Sequence, residues 1–468
     1  MTATAALVRG LVILSPQGNE LDEMSMEGQV VLVEQPRAGA VPDGPAVEPG
    51  AEIHGDQVQL SRASRFDARA IVSGRPARVK GKGLDLEGPM LEFDRGRGRL
   101  SVDGAGRLTL PLQGNARGFA PLGFSGSAPA APRPDGPPGK LDVTWQGRMD
   151  FDGLTARFVD RVVAQGDTAL VRAGSLDVVF DRPFDFAAGA PRGGRQPDVA
   201  RIACGSGVRI ESESVDESGQ TSTEQLFTRD LVIDRASGDV TGTGPGRLTS
   251  TRVGQPMSLT PAAGPQPAAA PVRPVVAAPQ DPGLTYLGVD FQRGMRGNLN
   301  RRALEFHQRV EAIWGPIARR GDTLDPHAPG GLPQGAVTIS SDVLGVGQAP
   351  AMPGLQRSTI ELGAGGNVLV EGESFTARSA RLSWSEAKDL LVFEGDGRSD
   401  AQLFRQLKAG AQPSSASAGK ILYWRALNRV DVEDARYLDL DQLRTGPGLS
   451  VPGGGRPAAL APPPTPGT

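Results

Sequence analysis

The chain has 468 residues, 50 of them basic and 53 acidic, for a net charge of −3; that balance offers neither the basic patch from which nucleic-acid recognition starts nor a polybasic membrane anchor. Hydrophobic residues are 38% and aromatics 5%, beside 63 Gly and 40 Pro, a composition that suits many short strands and turns. A single cysteine, Cys204, excludes a disulfide scaffold without naming a compartment.

The first apolar stretch runs from Ala5 to Leu14, but Arg9 and Gly10 interrupt it, no basic segment precedes it and Pro16 closes it. It does not fit a signal peptide and is too short for a membrane span. Further on, apolar and polar residues alternate around Val30 and Leu32, Leu84 and Leu86, and Leu438 and Leu440. Alternation punctuated by Gly predicts short strands. Pro/Gly/Ala-rich stretches at 113–139 and 254–283 read as linkers, and 443–468 as a disordered tail.

An internal repeat organises what lies between. The segment Leu91 to Leu110 matches Leu231 to Ser250 without gaps at nine of twenty positions, and Leu382 to Arg398 keeps the same skeleton. Apolar residues recur at Leu91, Leu231 and Leu382, at Phe93, Ile233 and Trp384, and at Leu100, Val240 and Leu391; each copy closes on Gly-x-Gly-Arg, ending at Arg107, Arg247 and Arg398. Upstream, Phe158-x-x-Arg161-Val162-x-Ala164 matches Phe306-x-x-Arg309-Val310-x-Ala312, with Met26-x-x-Gln29-Val30-x-Leu32 as a weaker copy. The spacing of Ala303, Phe306, Val310 and Ile313 also suits an amphipathic helix. Gly28 inside the first copy argues for a strand instead. The prediction is an all-β chain of three tandem β-jelly-roll modules, 1–112, 140–253 and 284–442, stacked as an elongated, solenoid-like sheet.

Candidate chemistry is thin. Gly242-Thr243-Gly244-Pro245-Gly246 has the look of a phosphate loop, but Pro245 removes a donor and no helical period follows, so a turn is the better reading. His54, His307 and His327 have no metal-ligand spacing, and Cys204 has no identifiable base. The carboxylates Asp85 with Glu87, and Glu92 with Asp94, alternate opposite the apolar residues, as on a solvated face. The repeated arginines Arg107, Arg247 and Arg398 have two readings, contact with an anion such as lipid phosphate or an exposed cation at a turn. Neither an enzyme nor a cofactor is expected.

Gly366-Asn367-Val368-Leu369-Val370, Ala380-Arg381-Leu382-Ser383-Trp384, the hairpin from Leu231 to Val240, and His54-Gly55-Asp56-Gln57-Val58-Gln59-Leu60 resemble the organic-solvent-tolerance (LptA/OstA-like) family of lipopolysaccharide-transport proteins. The resemblance implies a taco-shaped β-jelly-roll, acyl chains held in an inner apolar groove, and edge-strand pairing with like β-jelly-roll domains. It also implies a periplasmic or outer-membrane-associated place. On that basis Leu91, Phe93, Leu100, Leu231, Ile233, Val240, Leu382, Trp384 and Leu391 are the groove candidates. The indole of Trp384 is expected to face the groove and Phe93 the closed core. The function expected is a non-catalytic lipid carrier or bridge, with lipopolysaccharide or another lipid as partner, that contributes to outer-membrane assembly. The alternative is a β-solenoid envelope scaffold or adhesion-type protein that binds no lipid.

Overall fold

The structure, a computed structural model, describes residues 2–15, 18–33, 51–63, 65–81, 84–112, 139–183, 197–215, 221–253, 283–329, 331–349, 359–372, 375–385, 387–388, 390–405, 414–424 and 429–438. Among these described residues it is all-β, with 77% of them in strands and no helix. The linker stretches 113–138 and 254–282 and the tail from 439 lie outside the described residues.

Twenty-eight strands form one antiparallel ladder. The first part holds β1 (Thr2–Thr4), β2 (Leu7–Ser15), β3 (Gly18–Val33), β4 (Glu52–Ser61), β5 (Arg69–Gly81), β6 (Leu84–Asp94), β7 (Arg99–Asp103) and β8 (Gly106–Leu112). The middle holds β9 (Gly139–Trp145), β10 (Arg148–Phe151), β11 (Thr155–Gln165), β12 (Ala169–Phe180), β13 (Val199–Gly205), β14 (Val208–Val215), β15 (Thr221–Thr228), β16 (Asp230–Asp234), β17 (Asp239–Thr243) and β18 (Gly246–Val253). The last part holds β19 (Leu284–Phe291), β20 (Gly294–Asn298), β21 (Ala303–Ile317), β22 (Val337–Ala349), β23 (Thr359–Gly372), β24 (Phe375–Ser385), β25 (Leu390–Glu394), β26 (Ala401–Arg405), β27 (Ser414–Trp424) and β28 (Arg429–Leu438).

Pairing divides the ladder into two leaves joined along a crease. The long strands cross the crease and contribute a half to each leaf. Thus β6 pairs through Met90 to Asp94 with β7 and through Asp85 to Glu87 with β8, and β12 pairs with β13 and β14 in the same way. Where consecutive strands stop at the crease, as from β12 to β21, the pairings run down one leaf and return up the other. They close a ten-stranded antiparallel barrel with eighteen further strands outside it.

Left-handed backbone doublets mark the crease. In four crossing strands two consecutive residues take the left-handed conformation: Gly28 and Gln29 (φ 80° and 46°), Asp160 and Arg161 (68° and 47°), Gln308 and Arg309 (65° and 48°), and Gly366 and Asn367 (75° and 50°). Each doublet faces a single skipped residue on the next strand, the two-against-one count of a β-bulge, which bends a strand. Three of these doublets fall inside the upstream repeat seen in the sequence, which is therefore a bend motif. The segment from Ala303 to Ile313, which has helical spacing, is strand β21.

Inward residues of both leaves merge into one apolar cluster running from Met26 to Tyr423. The leaves face each other, because aromatic pairs bridge them. Trp145 of β9 meets Phe158 of β11 at 5.2 Å, Phe291 of β19 meets Phe306 of β21 at 5.3 Å, and Trp314 of β21 meets Trp384 of β24 edge-on at 5.8 Å. The ladder also runs across the linker stretches. Gly106 to Leu112 pair with Trp145 to Gly139, and Gly246 to Val253 pair with Phe291 to Leu284.

Candidate functional site

All nine groove candidates lie on one leaf, on the hairpins β6–β7, β16–β17 and β24–β25. Phe93 stands opposite Leu100, Ile233 opposite Val240 and Trp384 opposite Leu391, so the repeat reproduces one cross-strand pair three times. Leu91, Leu231, Ile233, Val240, Leu382, Trp384 and Leu391 are buried, whereas Phe93 and Leu100 are half-buried. Of the two aromatics, Trp384 is the more buried. Trp384 is enclosed because Trp314 of the other leaf covers it, and Phe93 lies near the strand end, where that cover thins.

Each Gly-x-Gly-Arg segment sits at the crease, but the three are not equivalent. Gly397 has φ +84°, while Gly106 and Gly246 do not adopt positive φ. Their reason for being glycine is space. A Cβ at Gly106 would run into the Trp145 ring and lie 2.6 Å from the Glu87 carbonyl oxygen; one at Gly246 would meet the Phe291 ring and lie 2.6 Å from the Phe227 oxygen. In both repeats an aromatic ring from the next strand lies over a bare glycine. The Trp145 indole also donates to the Gly104 carbonyl at 3.0 Å.

The repeated arginines diverge as well. Arg107 Nε donates to both oxygens of Asp142, at 2.8 and 3.0 Å, and that carboxylate raises the guanidinium pKa. Arg247 donates to Tyr286 Oη at 3.2 Å and pairs with Asp290 at 3.8 Å, on the outer side of its leaf beside the small apolar cluster of Tyr286, Ile313, Leu324 and Ala336. Burial holds the Asp290 carboxyl above the usual carboxylate range, against the opposing pull of Arg247. Arg398 is exposed at its turn, its amide donating to Asp396 at 2.9 Å.

What the sequence did not indicate is a small void between the leaves at the open side away from the crease, about 20 Å³, room for about one water molecule. β18, β19 and β21 form one wall with Leu248, Ser250, Arg252, Thr285, Leu287 and Trp314; β22 and β23 form the other with Val346, Gly347, Gln348 and Ile360. The Arg252 guanidinium lies 5.1 Å from the centre of the Trp314 ring. Trp314 and Trp384 are each 4% exposed, and the Nε1 of each is buried with no hydrogen-bond partner. A self-comparison of the sequence could not assemble these residues, because they come from six strands and only Leu248, Ser250 and Trp384 belong to the repeat.

His54 pairs with Glu52 at 2.7 Å, His307 with Glu305 at 3.2 Å and His327 with Glu311 at 3.1 Å. Among these residues no cluster of three or more His, Cys, Asp or Glu is placed to hold a metal ion. Cys204 on β13 is 5% exposed, and burial, helped by Asp177, pushes its thiol up to about 12. With the thiolate as the reactive form, Ellman's reagent at pH 8 is expected to label Cys204 only when denaturant is present; rapid labelling of the native chain would show that the leaf around β13 opens.

No protein-family model matches this chain, and no curated protein does.

Proposed function

We propose that the chain is a non-catalytic carrier or bridge for lipid, resembling lipopolysaccharide-transport components, that shields acyl chains between its leaves and contributes to outer-membrane assembly in the periplasm. One observation carries this reading: a single apolar seam follows the ladder from Met26 to Tyr423, lined on both sides by inward faces and interrupted at the open side by a small void. Such a seam is continuous enough for a chain of methylenes to pass along it by exchanging one apolar contact for another. Loading requires the leaves to part about the crease, where the left-handed doublets concentrate the bending.

The ends of the ladder fit docking by strand addition to like β-jelly-roll domains. At the first end, β2 exposes Leu7, Val8, Leu11, Val12, Ile13 and Leu14, from 40% to 76%. β28, at the other end, is largely exposed and carries Arg429, Asp431, Glu433, Asp434 and Arg436.

A second reading has its own observation. The aromatic pairs Trp145 with Phe158 and Phe291 with Phe306 close the seam near the crease, as in a β-scaffold that binds no lipid.

Photo-crosslinking residues at 93, 233 and 384, incubated with labelled lipopolysaccharide or phospholipid, separate the two. Lipid adducts at one or more positions are expected for a carrier; a folded chain with no adducts at any of the three leaves the scaffold.

A further inference from the structure

The net charge of −3 is an average over the chain, and it hides a local excess of cations at one corner of the first part. The segments 62–69 and 94–99 are neighbours at the rim away from the crease. Arg69 stands opposite Asp94 in the ladder, and the Arg95 amide donates to the Ala68 carbonyl at 2.9 Å. Together they hold Arg62, Arg65, Arg69, Arg95, Arg97 and Arg99 against Asp67 and Asp94. Arg62 pairs with Asp67 at 2.6 Å, Arg97 with Asp94 at 3.9 Å and Arg69 with Glu92, so the arginines outnumber these carboxylates. Arg65, Arg97 and Arg99 are exposed.

Exposed apolar side chains stand at the same rim. Phe66, between β4 and β5, is 83% exposed. On the adjoining strand pair, the β2–β3 hairpin runs past the last β3–β4 rung, Glu23 with Ser61, and carries Ile13 and Leu14, 40% and 76% exposed. The Ala63 amide donates to the Asp22 carbonyl at 3.1 Å, which joins the hairpin to the β4–β5 loop. Carboxylates bound the cluster on both sides: Glu20, Asp22 and Glu23 on the hairpin, and beyond Arg99 the residues Asp150, paired with Arg148, and Asp152, which accepts from the Leu154 and Thr155 amides at 3.0 and 2.8 Å. Single exposed apolar residues are ordinary. Apolar tips beside a cluster of arginines are the arrangement by which a protein lies on a bilayer, apolar groups entering the headgroup layer and cations meeting the lipid phosphates.

We propose that this corner docks the protein on the surface of an anionic phospholipid bilayer. Phe66 and Leu14 enter the headgroup layer, and the arginines of 62–69 and 94–99 bind its phosphates. A nucleic acid or an acidic protein would use the arginines but would leave Ile13 and Leu14 without a role. The docking goes beyond the carrier reading, since it requires no acyl chain between the leaves.

The full-length protein is sedimented with extruded vesicles of phosphatidylcholine alone and of phosphatidylcholine mixed equally with phosphatidylglycerol. Binding to the anionic vesicles is expected to be at least about tenfold tighter and to fall steeply with added salt. Arg65→Gln, Arg97→Gln and Arg99→Gln should each weaken it by about fivefold, whereas Arg381→Gln, an exposed arginine on β24, should leave it unchanged. Phe66→Cys carrying an environment-sensitive dye is expected to shift its emission to the blue on anionic vesicles. Cys204 stays unlabelled in the native chain, because burial pushes its thiol up to about 12.

Equal binding to both kinds of vesicle, no sedimentation with either, or a loss in Arg381→Gln as large as in Arg65→Gln would each overturn the docking surface. So would binding of a DNA duplex as tight as that of the anionic vesicles. The vesicle comparison on the unaltered chain stands whether or not the variants fold. Lipopolysaccharide adducts at 93, 233 or 384 without vesicle binding would leave the carrier reading and remove the docking surface; vesicle binding without adducts would do the reverse.

Discussion

Trp145→Ala is expected to lower stability by about 3–5 kcal/mol, the range for removing a large buried aromatic from a packed core. The ring is 1% exposed, packs at 5.2 Å on Phe158 of the opposite leaf and donates its N–H to Gly104. It also covers the bare backbone of Gly106. Its removal therefore leaves a cavity, an unpaired carbonyl and an uncovered glycine in adjacent rungs. Urea unfolding followed by far-ultraviolet circular dichroism is the suitable measurement, since the substitution alters the fluorescence. Each rung of a long ladder touches only its neighbours, so unfolding can proceed in parts. The loss should then fall in the transition that contains β8 to β11. A loss below about 1 kcal/mol would mean that the leaves are not packed together at the crease. Phe93→Ala is the internal comparison, because that ring is only half-buried and should cost clearly less.

The second large effect comes from the smallest side chain. Gly106→Ala and Gly246→Ala should each destabilise by about 3 kcal/mol, the upper part of the range for overpacking. The added methyl meets a backbone oxygen at 2.6 Å as well as an aromatic ring. A ring can tilt, but the carbonyl belongs to the neighbouring strand and is fixed by the ladder. Gly397→Ala should cost only about 1 kcal/mol, the strain of a left-handed non-glycine residue, because nothing lies within 4 Å of its added Cβ. Thermal melts of the three variants decide the point. Equal losses at all three positions would show that conformation, not space, selects glycine at the crease.

Those three glycines also mark the boundary between what was legible in the sequence and what was not. The strand class was legible, because alternation at residues such as Leu84 and Leu86 depends only on which side chains meet water. The repeat was legible for a related reason. Phe93 with Leu100, Ile233 with Val240 and Trp384 with Leu391 are hairpin partners a few residues apart, so their contacts are encoded locally. The bend motif was visible as letters but not as a bend. Gln29, Arg161 and Arg309 are residue types with no special preference for positive φ, and only the facing strands impose it.

Everything that depends on the second leaf was decided by tertiary structure. Gly106 and Gly246 read as turn glycines until Trp145 and Phe291 arrive over them from strands that follow the linker stretches. The enclosure of Trp384 depends on Trp314, seventy residues earlier, and the small void joins Leu248 to Ile360 through walls from both leaves. Arg107 and Arg247 occupy one position in the repeat, yet Asp142 faces the first and Tyr286 with Asp290 the second. Hydrophobic patterning dictates that a face be buried, because water excludes it whatever the partner. Which residue covers it, and which buried donor goes unpaired, follows from the packing of two sheets whose contacts are set by distance in space and leave no period in the chain.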